Sequence, residues 1–227
     1  MVARRDRVIQ QLLKRYGTTF AEEIGINLTR NAPSPLFQLL CASMLYGARI
    51  SARIATAASR ALADSGWTTA ATMAGSTWSQ RTKVLNQSGY ARYDESTSRR
   101  LGEMADILLE QYRGDLRRLR DAADRAPAAE RNLLRQFKGM GDVSVDIFFR
   151  EVQTLWPELY PFADRRALKA ARQLDLGADA RALAERVGRA ELPRLLAALI
   201  RVDLASGYEE LFAPDSQGDT ASPSWSR

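Results

Sequence analysis

Apolar residues recur at helical spacing along most of the chain, and no run alternates cleanly enough to read as a strand. Over residues 4–16, Val8, Ile9, Leu12, Leu13 and Tyr16 share one side of a helix that Gly17 ends. Residues 18–32 lack a clear period. Asn31-Ala32-Pro33-Ser34-Pro35 breaks the chain, with Ser34 placed to cap the next helix and Pro35 at its first position. From Pro35 to Tyr46 the chain is apolar on nearly all sides, the pattern of a helix at the centre of a core. Gly47 breaks it. Further helices are predicted over 50–63, 69–74, 78–85 and 96–112, the last burying Leu101, Met104, Ile107, Leu108 and Tyr112. Residues 116–120 read as a short basic helix and 123–129 as a polar connection. An apolar helix end then meets Lys138-Gly139-Met140-Gly141-Asp142, and a second helix runs from Val143 to Val152. An arginine-rich helix follows Asp164. Two more, over 180–187 and 192–204, complete the set, with Pro193 near the start of the last, where proline is tolerated. Tyr208, Leu211 and Phe212 are placed to anchor the chain end, and 213–227 has the composition of a disordered tail. The fold class is all-α.

Composition narrows the chemistry. The 227 residues can bury one good core or two small ones, and 45% apolar content rules out wholesale disorder. No histidine is present, so histidine-dependent nucleophilic and metal sites are excluded. The single cysteine, Cys41, lies in an apolar helical stretch and reads as a small core residue; one cysteine excludes a disulfide framework and a four-cysteine iron–sulfur cluster within the chain. Net charge is +6, carried almost wholly by arginine, with lysine only at 14, 83, 138 and 169. Such a balance suits an anionic partner and bidentate phosphate contacts; plain solubility and a GC-rich genome give the same composition. No apolar stretch is long enough to span a membrane, and Met1-Val2-Ala3-Arg4-Arg5-Asp6 is not followed by a signal-type apolar segment, so the expected location is cytoplasmic.

The two glycines of the 138–142 turn, one residue apart between helices, have a physical use. Glycine adopts positive φ and lets another backbone approach, while the amides at the next helix start point outward toward an anion such as phosphate. A plain helix–helix turn also favours glycine. The loop Tyr90-Ala91-Arg92-Tyr93 reads two ways: Tyr90 stacking on a base with Arg92 on a phosphate, or Tyr90 packed inward. The charge run over 116–120 reads as a solvated face or as a binding patch, the former being the commoner case.

Leu134-x4-Gly139-Met140-Gly141, followed by an apolar helix, resembles the helix-hairpin-helix of the endonuclease III superfamily of DNA glycosylases, and Pro161 and Asp164 stand where that superfamily has its Pro and Asp, the HhH-GPD pattern. Upstream, Ser34 to Leu45 is similar to the family's first long core helix and Gly89-Tyr90 to the loop before its middle helix, so the similarity covers roughly residues 5–175. The resemblance implies two helical domains: a six-helix barrel over 30–155 ending in the hairpin, and a second domain of 1–29 with 156–212. It implies duplex DNA as partner, bound with a flipped target base in the cleft between them by a monomer. Backbone amides at Gly139, Gly141, Asp142 and Ser144 would hold a phosphate beside Lys138, with Arg165 and Arg166 on flanking phosphates, and a monovalent cation could sit at the hairpin. Two departures follow. Val143 stands where bifunctional members carry the lyase lysine, so Schiff-base chemistry is lost there. Leu45-Tyr46-Gly47-Ala48-Arg49 replaces the family's glutamine wedge, leaving Tyr46 or Arg49 for that role.

Breaking an N-glycosidic bond builds positive charge on the sugar, and a nearby carboxylate can stabilise it and orient or deprotonate water. By the resemblance, Asp164 is that catalytic group. The same residue is also a favoured N-cap for the helix beginning at Arg165, and the two roles are compatible. The expected activity is that of a monofunctional glycosylase in base-excision repair; the alternative is a DNA-binding relative that has lost the chemistry.

Overall fold

Helices make up the regular structure of the computed structural model, which describes residues 2–205 and Tyr208; no strand occurs among them. They are α1 (Val2–Tyr16), α2 (Phe20–Glu23), α3 (Pro33–Tyr46), α4 (Ala52–Asp64), α5 (Ala70–Ala74), α6 (Trp78–Gln87), α7 (Asp94–Tyr112), α8 (Leu116–Ala122), α9 (Pro127–Leu134), α10 (Asp142–Val152), a 3-10 turn over Pro157–Leu159, α11 (Arg165–Gln173) and α12 (Ala180–Ala205). Gly188, at φ 75° and ψ 173°, is non-helical and divides α12. The all-α expectation holds. The anchors Leu211 and Phe212 and the tail 213–227 lie outside the described residues. No helix among those described is long and apolar enough to cross a membrane.

The chain divides into two compact units, residues 21–159 and residues 1–20 with 160–227. These divisions fall at 20/21 and 159/160, where the resemblance implied 29/30 and 155/156, and hydrogen bonds account for the shift. The Ala21 amide donates to Glu151 Oε2 (3.0 Å), and the Glu23 carbonyl accepts from the Arg60 guanidinium, so the segment after residue 20 belongs with the larger unit. At the other end Trp156 is fully buried, donates to Asn31 Oδ1 (3.3 Å) and meets Phe148 edge-on at 5.5 Å.

In the larger unit α3 is the central element, with every residue from Leu36 to Leu45 except Gln38 buried. Ser34 does not cap it. The helix starts at Pro33, its N-cap Ala32 makes no side-chain bond, and Ser34 Oγ donates to the Thr68 carbonyl instead. Thr69 and Thr77 each close a capping box, at α5 and α6. Arg81 is buried and spends its guanidinium on the carbonyls of Met73, Ser76 and Ser98, joining α5, α6 and α7. Burying the ion lowers its pKa, and these acceptors offset the desolvation. Cys41 is buried, and burial raises its thiol pKa far above the ordinary range, consistent with the core role.

In the smaller unit α12 packs against α1 and α11. Arg201 donates to the carbonyls of Tyr16 and Thr18 and lies 4.5 Å from the Phe20 ring, while Arg194 Nε reaches the Gly17 carbonyl at 2.8 Å. These arginines take the carbonyls around the end of α1, which have no intrahelical partner. Tyr208 donates to Asp203 Oδ1 at 3.0 Å.

Candidate functional site

The end of α3 seats the turn that enters α10. Gly139 has φ +96°, a conformation that side chains other than glycine's strain to adopt, and a Cβ there would stand 2.6 Å from Met44 Sδ. Three residues beyond Met44, a Cβ on Gly47 would overlap Ser144 Oγ at 2.0 Å. Ser144 is buried and donates to the Gly139 carbonyl at 3.3 Å. Its hydroxyl therefore fastens the turn internally, while its amide, the group expected to face a phosphate, belongs to the first turn of α10. Met140, also buried, points into the core.

Gly141 differs from Gly139. Its φ is −78°, open to any residue, and a Cβ would meet nothing within 4 Å. It is the N-cap of α10 and offers no side-chain bond. The amides of Asp142, Val143 and Ser144 meet no acceptor among the described residues. Residues 141–143 are exposed, Val143 at 61%. An 11-residue helix thus starts at the surface with unpaired amides and its positive dipole end outward, an arrangement that attracts an anion.

The charges beside it are largely paired. Lys138 Nζ lies 3.1 Å from Glu103 Oε2 on α7. Asp142 is 3.4 Å from Arg135 and 3.9 Å from Arg131, and Arg131 also meets Asp146 at 2.6 Å. Lys138, expected beside the phosphate, is exposed and ion-paired with Glu103 here.

Other expected contacts separate into available and occupied groups. Tyr90 is only 2% exposed, so its ring packs inward and the stacking role is corrected; its hydroxyl is tied to Thr97 on α7. Arg92 remains exposed, 5.2 Å from the Tyr93 ring. Tyr46 is half-buried with its hydroxyl 2.7 Å from Thr56 Oγ1, tethered to α4, whereas Arg49 is exposed.

In the smaller unit Asp164 is the buried N-cap of α11, and its Oδ1 accepts from the amides of Arg166 and Ala167, both at 2.9 Å. The capping role read from the sequence is present. Arg165 and Arg166 follow it and are exposed; Arg166 and Lys169 both approach Asp203, at 3.5 and 3.0 Å.

A further carboxylate was not singled out by the sequence. Glu130 on α9 is fully buried, and neither of its carboxyl oxygens has a hydrogen-bond partner among the described residues. Nearby Glu158 is held by the Arg120 fork, whose Nη2 lies 2.6 Å from Oε2 and whose guanidinium stands 5.3 Å from the Trp156 ring. Burial, with the Glu158 charge beside it, pushes the Glu130 carboxyl up to about 8. Burial also acts to raise Glu158, but the Arg120 hydrogen bonds outweigh it and hold that group below the ordinary range. A glutamate carries no sequence signal of burial, since glutamates almost always lie outside.

No protein-family model, no curated protein and no solved structure matches the chain.

Proposed function

We propose that the chain is a DNA-binding base-excision repair protein, a monofunctional DNA glycosylase that hydrolyses the N-glycosidic bond of a damaged or mispaired base. The supporting observation is the start of α10: exposed, without a side-chain cap, and entered through a glycine whose missing side chain leaves open space. In this reading its amides hold a backbone phosphate, a contact that positions a duplex without reading its sequence. The HhH-GPD resemblance supplies the reaction. Asp164 is the carboxylate that stabilises charge at the sugar and orients water, and the target base leaves the stack to reach it. Val143, exposed where the family's lysine would stand, supports hydrolysis without strand cleavage.

A second reading has its own observation. Asp164 Oδ1 already accepts two amides, and a residue occupied as a cap fits a DNA-binding protein without catalysis. One experiment separates the two: duplexes carrying uracil, a thymine–guanine mismatch, or oxidised or alkylated bases are tested for salt-dependent binding and for base release. The first reading expects release with an intact strand, cleaved only after alkali, and no borohydride-trapped adduct. Salt-dependent binding without release supports the second. Absence of salt-dependent binding removes both.

A further inference from the structure

We infer that Arg100 of α7 is the side chain that supplies the hairpin's positive charge to a DNA phosphate, while Lys138 within the hairpin is held in an internal pair. The inference rests on the duplex-binding reading and assigns the charge at that same site.

Charge matching leads to it. Around the turn, Lys138 is matched by Glu103, and Arg131 and Arg135 are matched by Asp146 and Asp142. These six groups sum to zero. Arg100 is exposed and has no ion pair or hydrogen bond among the described residues. It stands one helical turn before Glu103 on α7, so the helix presents an acid to Lys138 and a bare cation beside it.

Gly139 sets the path of the Arg100 stem. A Cβ at Gly139 would come within 3.1 Å of Arg100 Cδ, so the arginine stem runs against the turn at the position that glycine leaves open. The missing side chain therefore serves two purposes, permitting φ +96° and giving the Arg100 stem its path. Long basic side chains commonly lay an apolar stem along protein surface and keep the charged head in water. An arginine head placed so can take a phosphate in bidentate fashion, which a lysine cannot.

The test measures duplex affinity of the full chain as a function of salt, using an undamaged duplex of fixed length as probe and circular dichroism to confirm helical content. Arg100→Met should weaken binding by roughly five- to tenfold at 0.1 M salt and lower the slope of log K against log salt by about one. Arg100→Lys should restore most of the slope and part of the affinity. Glu103→Gln combined with Lys138→Met removes the internal pair without changing net charge, and should leave both quantities as in the wild type. The inference is overturned if Arg100→Met binds like the wild type while Gly141→Leu does not, or if the double variant loses as much as Arg100→Met. If the wild type shows no salt-dependent binding, the duplex-binding reading fails and this inference falls with it.

Discussion

At the start of α11, Asp164 takes the amides of Arg166 and Ala167; at the start of α10, Gly141 offers no side chain and the first-turn amides stay unpaired. Helices α3, α7 and α9 also lack a side-chain bond from the N-cap residue. Of these, α3 and α9 carry proline in the first turn, which removes a donor, and in α7 the Asp94 carboxylate accepts the Glu95 amide. The start of α10 has neither device. A capped start adds stability, commonly about 1 kcal/mol. An exposed uncapped start forgoes that and keeps its attraction for an external anion. The two starts thus suit different duties, and the proposed function asks Asp164 to perform a second one in addition to its cap.

The largest expected effect bears on that second duty. Asp164→Asn keeps the size and much of the capping ability but removes the charge. If the carboxylate acts on the sugar, base release falls by roughly a hundred- to ten-thousand-fold. Stability should change by no more than about 1 kcal/mol. Release at the wild-type rate would reduce Asp164 to a cap, and strong destabilisation would make its main duty structural.

Next in size is the fold requirement at the other glycine. Gly139→Val places a branched side chain at φ +96° and against Met44 and Arg100. A left-handed conformation costs an ordinary residue about 1–2 kcal/mol and overpacking about 1–3 more, so thermal or urea melts should show a loss of roughly 2–5 kcal/mol. A melt unchanged from the wild type would contradict the seating of the turn on α3.

A third carboxylate extends the comparison, since Asp164 receives two amides and Glu130 none. With its pKa raised from 4.5 to about 8 in the folded state, Glu130 binds its proton more tightly there than in the unfolded chain. Its contribution is fully present below pH 4.5 and is lost as pH rises through about 8, because the unfolded chain then binds fewer protons than the folded one. The melting temperature should therefore decline toward alkaline pH. Glu130→Gln, which cannot ionise, should flatten that decline, and an equally steep one in the variant would place its cause elsewhere.

The sequence carried this architecture unevenly. The all-round apolar run of α3 declared a buried centre, and nearly every residue of it is buried. The glycines 139 and 141 marked the turn, although nothing in the sequence told that one serves the fold and the other faces open space. Helix α2 has four residues, too few for a period, and the first turn of α9 was read as part of a polar connection although Pro127 is a helix start. Tyr90 illustrates the converse: an aromatic in a polar loop reads equally as a contact or as a core filler, and only packing decides. Arg100 escaped notice because an exposed arginine on an amphipathic helix is ordinary, and its significance comes from neighbours far away in sequence.

The smallest change to the fold gives the most direct test of the contrast between the two starts. A side chain at Gly141 would meet nothing within 4 Å, and its φ of −78° suits any residue. Gly141→Leu should therefore keep the fold and cost about 1 kcal/mol, the scale of replacing a favoured N-cap residue. Duplex binding by this variant and the wild type, followed across a salt series with melting curves measured on the same samples, tests the claim that the start of α10 is an open anion site. The account predicts a melt lowered by no more than that cap-sized loss and a marked loss of affinity. A folded variant with unchanged affinity and salt slope would contradict it.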